Sequence, residues 1–230
     1  MNPDFSIFEK KIEITFKNKD ILRQAFTHRS FLNEHRNSKL AHNERLEFLG
    51  DAVLELIVTE YLYEKYPNNT EGELTAYRSA LVNAITLSDV ASKLYMNDFL
   101  LLSKGEAKDT GRARQIILAN TIEALIGAIF LDQGYEITKS FIAKNIFNLI
   151  EKIIKEKTWL DAKSKFQEQA QDYESITPMY KTLKEEGLDH DKQFTVAVFL
   201  NDKKIAEGRG KSKQEAEQVA ANNALKIKFN

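Results

Sequence analysis

The sequence predicts an all-α domain followed by a small α+β domain with the element order α-β-β-β-α, and two observations support this prediction. Up to about residue 156, apolar residues recur every three or four positions, which is the spacing of amphipathic helices. Beyond residue 160, segments that alternate between apolar and polar residues stand between two helical segments. We therefore expect one domain over residues 1–156 and a second over residues 160–230. A chain of 230 residues, 43% of them hydrophobic, is sufficient for two packed cores.

Apolar spacing and turn-forming residues place the helices of the first domain. In chain order they are expected over residues 21–26, 41–66, a segment that begins after Thr70, 116–131 and 137–155. Pro67 ends the long helix before it, because proline cannot continue the hydrogen bonding of a helix. Thr70 and Glu73 have the spacing of a capping box, which opens the next helix. Residues 105–114 are expected to form a polar loop.

Alternation of apolar and polar residues identifies the strands of the second domain. Its elements are expected over residues 162–172 (helix), 179–183, 193–200 and 204–208 (strands), and from Ser212 onward (helix). In the middle strand, Phe194, Val196 and Val198 alternate with smaller or polar residues, as in a strand with one buried face.

Oxygen-bearing side chains gather on two strongly apolar helical segments of the first domain. Glu44, Glu47 and Asp51 lie three or four residues apart and share one helix face. Asn120 and Glu123 share a face of the other segment. Carboxylates among leucines need compensation of their charge, which a divalent cation supplies. Because the donors are oxygen atoms and the chain has no cysteine, the pattern favours Mg²⁺, with Mn²⁺ as a substitute, over zinc.

An ordinary alternative is that Glu47 and Asp51 are solvated residues of an amphipathic helix, with Arg45 as an ion-pair partner. The neighbouring residues argue against this alternative, because apolar side chains run nearly all round the helix. They are Leu46, Phe48, Leu49, Ala52, Val53, Leu54, Leu56 and Ile57. This composition indicates a helix that is buried or lies in an interface.

One segment resembles the signature of the ribonuclease III superfamily: Asn43-Glu44-Arg45-Leu46-Glu47-Phe48-Leu49-Gly50-Asp51. The resemblance extends over nearly the whole chain, in the order and with the spacing of the family. Its further segments are residues 27–30, 71–74, 78–82 and 123–132. It implies a metal-dependent endoribonuclease that hydrolyses phosphodiester bonds of double-stranded RNA to 5′-phosphate and 3′-hydroxyl ends. Its substrates would be ribosomal and other structured RNA precursors.

The same resemblance implies a role for each matching residue. The metal ligands it implies are Glu47, Asp51, Asn120 and Glu123. Asp51 and Glu123 would be the catalytic residues. Glu44 and Glu71 would form an outer pair that aids the substrate or supports the ligands.

Position 120 departs from the pattern of the family, which usually has aspartate there. Asn120 keeps a carbonyl oxygen that can bind Mg²⁺ but adds no negative charge. Three explanations are open: an active natural variant, a deliberate substitution that traps substrate, or a lineage with reduced catalysis. The first is favoured because the other acidic positions are intact. The competing function is a catalytically silent, dimeric scaffold that binds double-stranded RNA.

Residues 208–217 resemble the lysine-rich start of the last helix of a double-stranded-RNA-binding domain. Lys211, Ser212 and Lys213 would meet phosphates there, and a capping box of Ser212 with Glu215 would leave backbone N–H groups exposed. The resemblance adds three minor-groove contacts: Gln167, Glu168 and His190. The alternative is a solvated lysine run that caps an ordinary helix.

The charge balance gives RNA binding only local support. The net charge is −1, and residues 159–230 hold 12 Lys and Arg against 12 Asp and Glu. A basic patch survives within this balance, consisting of Lys203, Lys204, Arg209, Lys211 and Lys213, with Glu207 among them. Gln214 stands where the family commonly has a second lysine, so we expect somewhat weaker and less salt-dependent binding.

The resemblance also implies a homodimer, because one active centre per chain cuts one strand and a duplex has two. Phe48 would enter a pocket of the partner, whereas an ordinary core position is the alternative. Residues 104–114 lack a P-loop pattern, so no nucleotide cofactor is expected. The absence of cysteine, of a targeting pattern and of an apolar run of about 20 residues predicts a cytoplasmic protein without membrane contact.

Overall fold

A computed structural model describes residues 3–35, 38, 40–159, 161–187 and 192–229. The chain divides into two compact units, Met1–Glu156 and Lys157–Asn230, each with a hydrophobic core of its own.

The first unit is helical, which confirms the predicted fold class. Its helices are α1 (Phe5–Ile12), α2 (Lys19–Ala25), α3 (Arg29–Glu34), α4 (Glu44–Lys65), α5 (Glu71–Val82), α6 (Ala84–Lys93), α7 (Arg112–Gln133), α8 (Tyr135–Asn145) and α9 (Ile150–Lys155). The helices α4 and α7 have 22 residues each and pack against one another. Thr70 and Glu73 form the predicted capping box at the start of α5.

Four helix starts in the first unit differ from the predicted ones, two of them by two residues (Lys19 and Tyr135) and two by more. The helix α4 begins at Glu44 rather than at residue 41, because the side-chain amide of Asn43 donates a hydrogen bond to the backbone carbonyl of Ala25 and ties the preceding residues to α2. The helix α7 begins at Arg112, inside the predicted polar loop. In its first turn the guanidinium of Arg114 donates a hydrogen bond of 2.8 Å to the backbone carbonyl of Glu106 in the loop, which helps to hold this turn in place.

The single helix predicted over residues 137–155 is wrong. The chain leaves α8 at Asn145, forms a 3-10 turn over Phe147–Leu149 and enters α9 at Ile150. The ring of Phe147 stacks on Tyr61 of α4 with centroids 3.7 Å apart. The apolar spacing continues through the break, so the local sequence pattern does not indicate it. The break coincides instead with this tertiary contact.

Among the described residues, α7 is the one helix that is long and apolar enough to cross a membrane by length and composition. In the fold, however, 61% of its most apolar window is buried. It packs against α2, α4, α6 and α8. The apolar character of α7 therefore serves the core of the first unit.

The second unit has the predicted α-β-β-β-α order. Its elements are α10 (Ala162–Glu174), β1 (Met179–Glu186), β2 (Gln193–Leu200), β3 (Lys203–Gly210) and α11 (Lys213–Lys228). The strands form an antiparallel sheet in the order β1-β2-β3. Its core joins Phe166 of α10, Val198 of β2 and Ala220 of α11, all fully buried. Gly208 permits α11 to lie close to β3, because a Cβ atom there would overlap the helix backbone.

Candidate active site and RNA-binding surface

Two glycines allow the acid-bearing helices to cross closely. A Cβ atom at Gly50 of α4 would overlap the backbone carbonyl of Glu123, and a Cβ atom at Gly127 of α7 would overlap that of Leu46. Backbones approach this closely only where no side chain separates them. Neither glycine is predicted from the sequence as a site residue. A glycine inside an apolar helix costs about 1 kcal/mol relative to alanine and so signals a packing role.

The crossing brings together four of the predicted site residues, which we call the acidic cluster. They are Glu47 and Asp51 on α4, and Asn120 and Glu123 on α7. The side-chain amide of Asn120 lies beside the carboxyl group of Glu47 and lowers its pKa. Both carboxylates of α4 act electrostatically on Glu123. Three members are half-buried, and Asp51 is exposed, so the cluster opens to solvent on one side.

Burial and repulsion by neighbouring carboxylates raise the pKa values of Glu123 and Glu47 in the acidic cluster. The pKa of Glu123 rises to about 8, because burial disfavours the charged form and because Asp51 and Glu47 repel it. The pKa of Glu47 is also raised, first by burial and then by the charge of Glu44, while the neighbouring amide of Asn120 opposes the rise. At neutral pH and without metal, Glu123 therefore carries a proton.

The donor set of the acidic cluster fits a hard divalent cation. Three carboxylates and one amide offer the oxygen ligands that Mg²⁺ prefers. Among the described residues, no three His, Cys, Asp or Glu side chains stand close enough together to hold an ion without moving.

Glu44 and Glu71, the predicted outer pair, lie far apart within one chain. Glu44 begins α4 and lies 3.5 Å from Arg29 and 3.6 Å from His42 in ion-pair contacts. Glu71 begins α5, beyond the other end of α4, and accepts a hydrogen bond of 3.1 Å from Thr75. Glu71 lines a cleft with Thr59 of α4, and the rise of α4 from Glu44 to Thr59 is about 23 Å at 1.5 Å per residue. The two carboxylates of one chain therefore cannot act at one site.

Phe48 is 81% exposed, so the alternative of an ordinary core phenylalanine is wrong. It begins an apolar stripe along the free face of α4, which continues through Leu56 and Tyr63, both exposed. A stripe of this kind on a helix that otherwise faces a core is typical of an interaction surface.

Ser212 caps α11, as the sequence predicts. Its hydroxyl oxygen accepts a hydrogen bond of 3.1 Å from the backbone N–H of Glu215. The full capping box is wrong, because the carboxylate of Glu215 accepts from the backbone N–H of Lys211, at 2.7 Å, rather than from that of Ser212. The carboxylate thus satisfies a backbone donor that lies before the cap.

The remaining predicted RNA contacts differ in their surroundings. Within the described residues, Lys211 has no ion-pair partner, whereas Nζ of Lys213 lies 2.6 Å from Glu185. Gln167 is exposed on α10, and Glu168 lies 2.7 Å from Lys157 in an ion pair. His190 lies outside the described residues.

Two family models match the chain. The model described as Ribonuclease-III-like matches residues 18–150. The model described as Double-stranded RNA binding motif matches residues 162–228.

Known proteins resemble the chain over nearly its whole length. Ribonuclease 3 of Bdellovibrio bacteriovorus is 43% identical over 222 residues, which cover 96% of this chain and 94% of that protein. Ribonuclease 3 of Bacillus cereus is 46% identical over 222 residues, with coverage of 96% and 90%. A solved structure from Campylobacter jejuni, which reports structural flexibility in the region involved in dimer formation of the ribonuclease III nuclease domain, is 41% identical. It has a TM-score of 0.56 and covers 62% of this chain and 98% of its own.

Proposed function

Because the chain belongs to the ribonuclease III family, we propose that it cleaves double-stranded RNA at a Mg²⁺ site formed by the acidic cluster. The main support for this metal site is the crossing of α4 and α7 at Gly50 and Gly127, which brings three carboxyl groups and an amide together. Endonucleolytic activity on double-stranded RNA follows from the family. The products would be 5′-phosphate and 3′-hydroxyl ends on ribosomal and other structured RNA precursors.

The competing function, a catalytically silent scaffold, is not favoured. The relatives at 43% and 46% identity carry the name of a ribonuclease. Of the four residues in the acidic cluster, only Asn120 departs from the family's usual ligand. Its side chain lies beside Glu47 within the cluster, and its carbonyl oxygen can bind a cation.

The residues of the chain prepare the site for hydrolysis. Asn120 lies beside the carboxyl group of Glu47, and the close helix crossing holds Asp51 and Glu123 on facing backbones. When Mg²⁺ is bound, it supplies an activated water and stabilises negative charge on the phosphoryl oxygens. Glu123 must lose its proton to become a ligand, so the affinity for the metal should rise as the pH rises towards about 8. Mn²⁺ has the same ligand preference and should substitute.

A metal titration of the chain and of Asn120→Asp on the same duplex RNA tests this proposal. The fourth carboxylate should lower the Mg²⁺ concentration for half-maximal rate by about 10-fold, which corresponds to about 1.4 kcal/mol of added attraction. The unsubstituted chain should still cut, more slowly. If it forms no product with Mg²⁺ or Mn²⁺ while Asn120→Asp cuts readily, the proposal that the chain with Asn120 is active is wrong.

The apolar stripe on α4 supports a homodimer. Leu56 lies about midway between Phe48 and Tyr63, so two α4 helices that pack antiparallel about Leu56 would match the stripe to its copy. Phe48 would then meet the cleft of the second copy that is lined by Thr59, Leu62, Tyr63 and Leu74. The same symmetry would bring Glu71 of one copy towards Glu44 of the other and so complete the outer pair.

Phe48→Glu should weaken this dimer by about 30-fold or more in dissociation constant, because a charge replaces a central apolar anchor. Analytical ultracentrifugation of the full chain measures the change. Ile7→Glu is the matched control, since Ile7 is an exposed apolar residue of α1, away from the stripe. Equal behaviour of the two variants would exclude the proposed surface.

The absence of cysteine is compatible with the reducing cytoplasm, where we propose that the enzyme acts.

A further inference from the structure

One acidic side chain lies directly beside the lysines that are proposed to contact RNA. Oε1 of Glu185, near the end of β1, lies 2.6 Å from Nζ of Lys213 in the first turn of α11. Both side chains reach solvent, with 39% of Glu185 and 57% of Lys213 exposed. The ammonium group also lies 5.7 Å from the centre of the Phe194 ring. The pair is therefore on the surface that is open to a ligand.

The backbone fold of the second unit brings Glu185 and Lys213 together. Glu185 pairs with Phe194 of β2, which pairs in turn with Gly210 at the end of β3. A Cβ atom at Gly210 would lie 2.7 Å from the backbone nitrogen of Ala216, so the start of α11 lies tightly against this end of the sheet. The carboxylate of β1 thereby faces the ammonium group of Lys213 across the sheet end.

The charge of Glu185 opposes a phosphate at the same place. The ammonium group of Lys213 and the charge of Lys192 lower the pKa of Glu185, so it is ionised at neutral pH. A phosphate that approaches Lys213 meets a lysine that is already neutralised and a carboxylate that repels it. Lys211, two residues earlier, has no such partner among the described residues. The two lysines should therefore respond differently to RNA.

We propose that Glu185 competes with RNA phosphate for Lys213 and thereby limits the affinity and the salt dependence of duplex binding. This inference rests on the proposed role of Lys213 as a phosphate contact. In the free protein the lysine is bound to Glu185, and RNA must displace the carboxylate. Glu185 thus lowers the affinity of the second unit for any RNA duplex, independent of base sequence.

Binding of the full chain to a blunt RNA duplex in EDTA tests the inference, with a duplex longer than the roughly 16 base pairs that one such domain spans. Glu185→Gln should tighten binding by about 3- to 10-fold at low salt, because it frees one phosphate contact. The slope of log Kd against log salt should steepen by up to about one ion. Glu186→Gln is the matched control, since it removes the same charge from the next residue of β1, whose nearest ion-pair partner is Lys184 at 3.8 Å.

Two lysine backgrounds separate the possible failures. In Lys213→Gln the gain from Glu185→Gln should vanish, whereas in Lys211→Gln it should persist. If Lys213→Gln alone leaves binding unchanged, the proposed RNA contact is wrong. If Lys213→Gln weakens binding but Glu185→Gln acts like Glu186→Gln, only the competition is wrong. Weaker binding by Glu185→Gln would overturn it too, because the carboxylate would then orient the lysine.

Discussion

The acidic cluster and the start of α11 are both charged regions, but they are built in opposite ways. Backbone contacts at Gly50 and Gly127 fix the acidic cluster, where Asp51 and Glu47 disfavour the charged form of Glu123 and no described residue is a basic partner. The start of α11 projects long, exposed side chains, and Lys213 is already neutralised by a neighbour. The first arrangement favours the binding of a cation, which would compensate the negative charge. In the second arrangement, a change of one side chain can alter the affinity for RNA.

The difference predicts how each region responds to substitution. A rigid, half-buried site loses its function when one ligand or one backbone contact changes. An exposed ionic surface changes its affinity in small steps, since each exposed pair contributes little. The following experiments test this contrast, beginning with the largest expected effect.

Glu123→Gln should lower the rate of cleavage by about 1000-fold while duplex binding changes little. The substitution removes a charged ligand from the acidic cluster but touches no lysine of the second unit. Cleavage of a long duplex in Mg²⁺ and binding of the same duplex in EDTA measure the two effects separately. Equal losses of cleavage and binding would contradict the separation of the two regions.

Gly50→Ala should destabilise the first unit by about 3 kcal/mol, because the new Cβ atom overlaps the backbone of α7 and must push the helices apart. The control is Gly72→Ala on α5, where no atom lies within 4 Å of the added Cβ. That variant should be stabilised by about 0.5–1 kcal/mol, since alanine favours the helix. Denaturant unfolding monitored by circular dichroism distinguishes them. Similar stability of both variants would show that the crossing tolerates a side chain.

The metal-free protein should lose stability as the pH rises. The pKa of Glu123 is about 8 in the fold against an ordinary value of 4.5, so the folded state binds the proton more tightly. This contribution is complete below about pH 4.5 and is lost as the pH rises through about 8. After allowance for screening by water, it amounts to about 1–2 kcal/mol.

Unfolding in EDTA between pH 5 and pH 9 measures this loss. Glu123→Gln should flatten the curve, because the amide does not titrate, and Mg²⁺ should restore stability at high pH by binding the ionised form. A curve for Glu123→Gln that remains as steep as that of the unsubstituted chain would assign the pH dependence to other groups.

Local sequence patterns were sufficient to predict the class of fold and to identify most candidate residues. Apolar periodicity is a property of neighbouring residues, so the helical first unit and the α-β-β-β-α order of the second follow from it. The capping box at Thr70 follows from side-chain chemistry within one turn. The acidic residues are visible as charges on apolar helices, which local composition also records.

Only the tertiary structure decides which of these residues meet. The overlap that a Cβ atom at Gly50 would make, the exposure of Phe48 and the ion pair of Glu185 with Lys213 join segments that are distant in sequence. The break before Phe147 is likewise accompanied by a long-range contact, since the ring of Phe147 stacks on Tyr61 of α4. Periodicity reports which face of an element is apolar, but the partner of that face is set by the packing of the whole chain.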